Sequence, residues 1–281
     1  MSSVLDTLLT GLRQDNPIKA WSLITTFFGD SIAPRGGAVS ATTIQSVMAH
    51  CGIGQGTVRT ALSRLGKDGW VEREKSGRNS YYRLSPRAAK QSAGASALIY
   101  AAPDSNHTQP PLYLVKIKAP NSLAAQSADF LVNLQHNMYL AGVTDKQKTA
   151  LQERGALLGA LDNQGVPGWV AESMLPKPLS DKYLQLQRRL GGIDQPGAAS
   201  ETDALALRTV IIHEWRRLRL RPEQPAADHR LCPTVRNDAH RTVADLYRQL
   251  TPAADRWMQN NATGPDGLLS ITDTEIAGRF R

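Results

Sequence analysis

The sequence predicts an α+β chain, and three observations carry the prediction. Ser40 to Leu84 reads as helix, break, helix and two-stranded hairpin. Leu112 to Met174 alternates β-type runs with helical ones, the pattern of a small α/β sandwich. From Pro176 to about residue 260, apolar residues recur at helical spacing between proline-containing breaks.

Taken in order, residues 1–15 form a short amphipathic helix or a loose arm through Val4, Leu5, Leu8, Leu9 and Leu12. Asn16-Pro17 opens a helix to Ile32, proline costing nothing where its missing N–H has no partner. Ile18, Trp21, Leu23, Ile24, Phe27 and Phe28 make it apolar around much of its girth, so it is expected to be buried. Pro34-Arg35-Gly36-Gly37 turns the chain into Ala38-Val39, a short strand. Ser40 is placed to cap Ala41 to His50. Cys51-Gly52-Ile53-Gly54 breaks that helix, and a second runs from Gln55 to Lys67. Its Val58, Leu62 and Leu65 share one face. Gly69 ends it, and Trp70 to Lys75 and Asn79 to Leu84 flank the turn Ser76-Gly77-Arg78.

That order is the order of a winged helix-turn-helix, expected over residues 1–84. Thr57, Arg59, Thr60, Ser63 and Arg64 occupy the polar face of the second helix, where side chains read base edges. Lys75, Arg78 and Asn79 at the wing tip suit a DNA backbone or minor groove. The plainer reading is a solvated basic face, with either arginine paired to Asp68 or Glu72 and Thr57 as a cap. Tyr81 and Tyr82 alternate, so one is core and the other faces out.

Ser85-Pro86 opens an alanine-rich helix to about Tyr100, and Ala102 to Pro111 is a linker; together residues 85–111 connect to the next domain. Over residues 112–176 the reading is a strand at Leu112 to Ile117 and a helix at Ser122 to Leu140, with Leu123, Phe130, Leu131, Leu134 and Met138 as its core stripe. Strands at Ala156 to Leu161 and Trp169 to Met174 complete it. Residues 177–281 form a helical domain: Ser180 caps a helix to Leu190, and others span Glu201 to Leu218 and Asn237 to Leu250, with a mobile tail after Asn260.

Among the 281 residues the formal charge is +8, which favours polyanionic partners. A hydrophobic content of 41% supports packed cores. Cys51 and Cys232 form no paired motif, which fits a reducing cytoplasm. No signal peptide or membrane-length apolar run is legible. No catalytic, cofactor or metal site is expected. Gly52-x-Gly-x-Gly56 follows a helix rather than a strand, so it is no nucleotide loop. His229, Cys232 and His240 fit no zinc spacing.

Two separated groups of residues resemble the PaaX-type transcriptional repressors. The first is Phe27-Phe28-Gly29-Asp30, Pro34-Arg35-Gly36-Gly37, Thr57 to Leu65, Gly69-Trp70 and Gly77 to Leu84. The second is Leu207-Arg208, His213 to Arg217 and Leu246-Tyr247-Arg248. The resemblance implies an N-terminal winged helix, a ferredoxin-like middle domain and a C-terminal helical domain. It implies repression of aromatic-acid, phenylacetate-type catabolic genes, with phenylacetyl-CoA as the family effector. The resulting expectation is a homodimer on double-stranded operator DNA, released by an aryl-acetyl-CoA thioester. His213, Arg216, Arg217 and Arg219 are the candidate effector residues, since clustered arginines pair bidentately with the phosphates of CoA. The alternative is structural, with His213 and Glu214 bonding between helices. The helix from Ser85 to Tyr100 is the expected lever between effector and operator. The competing class is a nuclease-like enzyme with an appended winged helix. The strand at Leu112 to Ile117 ends in Lys118 rather than an acidic metal ligand, which argues against it.

Overall fold

The structure, a computed structural model, describes residues 3–15, 18–101, 111–118, 131–161, 169, 175, 177–193, 196–221, 235–269 and 278–280. It is mixed α+β with small antiparallel sheets. The chain divides into two compact units, one of residues 1–101, 186–217 and 241–281, the other of residues 102–185 and 218–240.

The first unit begins with α1 (Ser3–Asp15), which buries Leu5, Leu8 and Leu9. Helix α2 (Ala20–Phe27) buries Leu23, Ile24 and Phe27. The expected helix to Ile32 instead widens into a π-helical turn, Phe28–Ile32, and a 3-10 turn, Ala33–Arg35. Trp21, expected in the core, is 38% exposed. Gly36 and Gly37, at φ 84° and 77°, turn the chain into β1 (Ala38–Ser40). Ser40 caps α3 (Ala41–His50), its hydroxyl accepting from the Thr43 N–H. Helix α4 (Gln55–Lys67) buries Val58, Leu62 and Leu65, each worth about 1.5–3 kcal/mol. Strands β2 (Val71–Ser76) and β3 (Asn79–Leu84) close a two-residue turn with Ser76 opposite Asn79, not the three-residue turn expected. Gly77 takes its first central position at φ 59°, which a side chain would resist. Strand β1 pairs with β3, giving the order β1-β3-β2. Tyr81 is the buried member of its pair. Ser85 caps α5 (Pro86–Ile99) and donates to the Gly69 carbonyl.

In the second unit β4 (Leu112–Lys116), β5 (Val132–Gln135), β6 (Met138–Gly142) and β7 (Leu157–Ala160) form an antiparallel sheet of order β5-β6-β4-β7. The helix expected from Ser122 to Leu140 is corrected. Residues 131–142 are a hairpin, and residues 119–130 lie outside those described. The cause is His136 and Asn137, both left-handed at φ 40° and 63°, which make a two-residue turn between Gln135 and Met138. The run containing Leu131, Leu134 and Met138 fits either period, and the turn decides it. Helix α6 (Asp145–Glu153), not expected, carries a complete capping box of Thr144 and Gln147. One sheet face buries Val115, Ile117, Ala141 and Val143 with Leu151 of α6; the other buries Leu112 and Leu140. Apart from Trp169, the strand expected at residues 169–174 lies outside the described residues, as do the linker at 102–110 and the pair His229 and Cys232.

Three long helices follow. Helix α7 (Lys177–Leu190) starts three residues before Ser180, and α8 (Glu201–Arg219) matches its expected span. Helix α9 (Val235–Asn261) runs through Pro252, where an end was expected near Leu250. Proline removes one N–H, but Leu250, Ala254 and Met258 continue the buried stripe, and tertiary burial outweighs the break. The segment expected as a mobile tail is partly folded. Ala262 is buried, Thr263–Gly264 (β8) and Gly267–Leu268 (β9) pair, and Arg279 and Phe280 are buried.

Candidate nucleic-acid interface

The face of α4 opposite Val58, Leu62 and Leu65 is open. Thr57, Arg59, Thr60, Ser63 and Arg64 are all exposed. Gly54 is the N-cap, so Thr57 is not the cap. The first turn carries no side-chain cap and no acidic residue, which leaves its N–H groups and positive dipole end to an incoming anion. Arg59 has no ion-pair partner among the described residues. Arg64 lies 3.6 Å from Asp68, both exposed, a contact worth under about 1 kcal/mol that DNA can displace. The Thr60 hydroxyl donates to the Gly56 carbonyl at 3.1 Å. In the hairpin, Arg73 donates to the Ser80 hydroxyl and Arg83 to Glu74, which fixes β2 on β3. Lys75, Arg78 and Asn79 stay exposed at its end.

The candidate effector residues lie on α8, three of them in the first unit. His213 is 1% exposed, its Nδ1 3.0 Å from the Thr26 hydroxyl on α2. Burial, then Arg216 and Arg217, push its pKa down to about 3, so the ring is neutral at pH 7. Arg216 donates to the Ser22 hydroxyl, also on α2, at 3.0 Å. Arg217 donates to Glu214 at 3.1 Å, and burial raises the Glu214 pKa. Arg219, at the end of the helix, is buried. His213 and Arg216 therefore fasten α8 directly to α2, a path that bypasses the connector helix α5.

Sequence reasoning missed a buried cluster behind this contact. Asp30 of the π-helical turn is 1% exposed and accepts from Tyr100 at 2.6 Å, from Arg279 at 3.0 Å, from Tyr247 at 3.1 Å and from Ser31 at 3.1 Å. Arg208 lies 3.2 Å from its second oxygen and donates to Asp255 at 2.8 Å. Arg35 donates to the same Asp255 oxygen at 2.7 Å. Burial alone would raise the Asp30 pKa; Arg208 and Arg279, with the Tyr100 and Ser31 hydroxyls, hold it below the usual carboxylate value. The available signal was an aspartate inside an otherwise apolar helix, which is costly unless paired.

Two comparisons with known proteins bear on this chain. Residues 19–88, which span α2 to the start of α5, match the family model described as PaaX-like protein. The chain is also 26% identical to the transcriptional repressor PaaX of Escherichia coli strain K12 over 309 aligned positions, covering 99% of this chain and 95% of that one. The family match falls on the segment that presents α4 and its hairpin, and the similarity to that repressor runs nearly end to end.

Proposed function

We propose that this chain is a transcriptional repressor, a regulator and not an enzyme, that reads double-stranded operator DNA with α4. The observation that carries the reading is the open face of Thr57, Arg59, Thr60, Ser63 and Arg64, followed by a hairpin with a basic tip. In this reading residues 1–84 are a winged helix, with α4 in the major groove and Lys75, Arg78 and Asn79 on the backbone or minor groove. The order β5-β6-β4-β7 supports a ferredoxin-like middle domain over residues 112–176, and residues 177–281 supply the helical part. The repressor acts in the cytoplasm as a homodimer on phenylacetate-type catabolic genes. For the nuclease alternative, no group of three His, Cys, Asp or Glu placed to hold a metal occurs among the described residues. None of the described helices is long and apolar enough to cross a membrane.

The test contrasts two arginines. Arg59→Ala is expected to cost about 1–3 kcal/mol on operator DNA and to narrow the operator-to-scrambled ratio. Arg78→Ala is expected to weaken both DNAs alike and lower the salt slope by about one unit. An unchanged ratio for the first, or an unchanged slope for the second, removes that residue from the interface.

The effector in this reading is an aryl-acetyl-CoA thioester. Arg217, with Arg216 one of the two partly exposed members of the candidate set, meets a phosphate by exchanging Glu214 for it. His213 and Arg216 then relay the change to α2. Operator release is expected with phenylacetyl-CoA and not with phenylacetate or CoA alone, with a coupling of about 1–3 kcal/mol. Release by the free acid would exclude a required CoA-phosphate clamp.

A further inference from the structure

A hydroxyl cluster joins the far C-terminal hairpin to the entry of the helix pair. Ser40 stands where β1 becomes α3, opposite Tyr81 of β3. Its Oγ accepts from the Thr43 N–H at 3.2 Å and from the Thr263 hydroxyl at 2.8 Å. Both lone pairs are then used, and its own hydrogen goes to Thr42 Oγ1 or Thr43 Oγ1, each at 2.9 Å. The Thr263 N–H donates to Thr43 Oγ1 at 3.2 Å. One residue of β8 therefore makes both a backbone and a side-chain bond to the first turn of α3. The next residue seats against β1: a Cβ built on Gly264 would lie 3.3 Å from the Ala38 carbonyl oxygen and 2.7 Å from the Leu269 side chain.

We propose that Thr263 is a positioning residue for DNA reading. Its hydroxyl locks the cap of α3, and through α3 it sets the angle at which α4 presents Arg59 and Arg64. The C-terminal hairpin thus acts on the reading helix through the start of α3, which it contacts directly. The inference rests on the DNA-binding reading above for its consequence, and on the hydroxyl cluster for its geometry.

The test uses the full chain with Thr263→Val, which keeps shape and β-branching but loses the hydroxyl, and Thr263→Ser, which keeps it. Amide hydrogen exchange without DNA is expected to speed up in the first turn of α3 for the valine variant alone. Binding is then measured to the intergenic DNA flanking the chain's own gene and to a shuffled duplex. The valine variant is expected to lose about three- to tenfold on the first, as one hydrogen bond implies, with no change on the second or in salt slope. Serine is expected to restore wild-type behaviour. Unchanged exchange in Thr263→Val overturns the clamp whatever the DNA does. Equal loss on both duplexes, or no rescue by serine, overturns the positioning role. If the wild type itself fails to distinguish the two duplexes while the exchange result holds, the DNA-binding reading falls and the clamp remains as a joint of the fold.

Discussion

Asp30→Asn is expected to destabilise the chain by about 3–5 kcal/mol, the cost of leaving buried charge without its counter-ion. The substitution keeps volume, so packing loss is not the cause. In the native cluster Arg35, Arg208 and Arg279 face Asp30 and Asp255, three cations to two carboxylates. Removing the Asp30 charge leaves three to one. An amide also brings its own N–H groups toward donors: Tyr100, Tyr247 and Arg279 all point at one oxygen, and Ser31 points at the other. The cluster joins the turn after α2, the end of α5, α8, α9 and the Arg279–Phe280 tip, so its loss is expected to be global rather than local. Urea unfolding at pH 7 measures it. A loss under about 1 kcal/mol would show that the arginines find water when the carboxylate goes. Arg279→Lys offers a graded companion, since an ammonium can stand in for Nη1 at Asp30 and Tyr247 but not also for Nη2 at the Gly29 carbonyl or for the planar group over the Tyr100 ring.

Acid is expected to weaken the fold well before ordinary carboxylates titrate, and His213 sets the window. Its folded pKa, about 3, lies below the ordinary 6.5 because the ring is buried and faces Arg216 and Arg217. As pH falls under 6.5 the unfolded chain takes up this proton and the folded chain does not. Stability is therefore full above that pH and is lost on the way down toward 3. One proton gives a slope of about 1.4 kcal/mol per pH unit, or about 2 kcal/mol between pH 6.5 and 4.5. Glu214 acts in the opposite sense: its raised pKa lets the folded state gain a proton as the pH drops, which offsets part of the loss. Asp30, held below the usual value, adds its own loss only at lower pH. His213→Gln keeps a partner for Thr26 and has nothing to titrate, so its urea midpoint is expected to vary less over this range. Parallel pH curves for the variant and the wild type would assign the acid sensitivity elsewhere.

Much of the first hundred residues was legible because the signals there are local. Ser40 and Ser85 cap where a serine before a helical run should, and the glycine breaks fall where left-handed backbone is needed. The open face of α4 followed from the spacing of Val58, Leu62 and Leu65 alone. The 131–142 hairpin was misread because its apolar residues satisfy two periods, and the deciding His136–Asn137 turn uses residues less diagnostic than glycine. The Pro252 passage was misread because a local breaking rule competes with a buried stripe visible only in the packed molecule.

The sequence by itself determined most of the helices and the hairpin strands of the first hundred residues, and the polar face of α4, because caps, turns and periodicity there are set within a few residues of one another. Tertiary structure decided what those elements are joined to. Asp30 meets Arg279 across 249 positions, Ser40 meets Thr263 across 223, and Thr26 meets His213 across 187. No periodicity links such distant residues. A buried charge or hydroxyl must find a partner somewhere in the fold, and the sequence shows the need without showing which distant residue meets it.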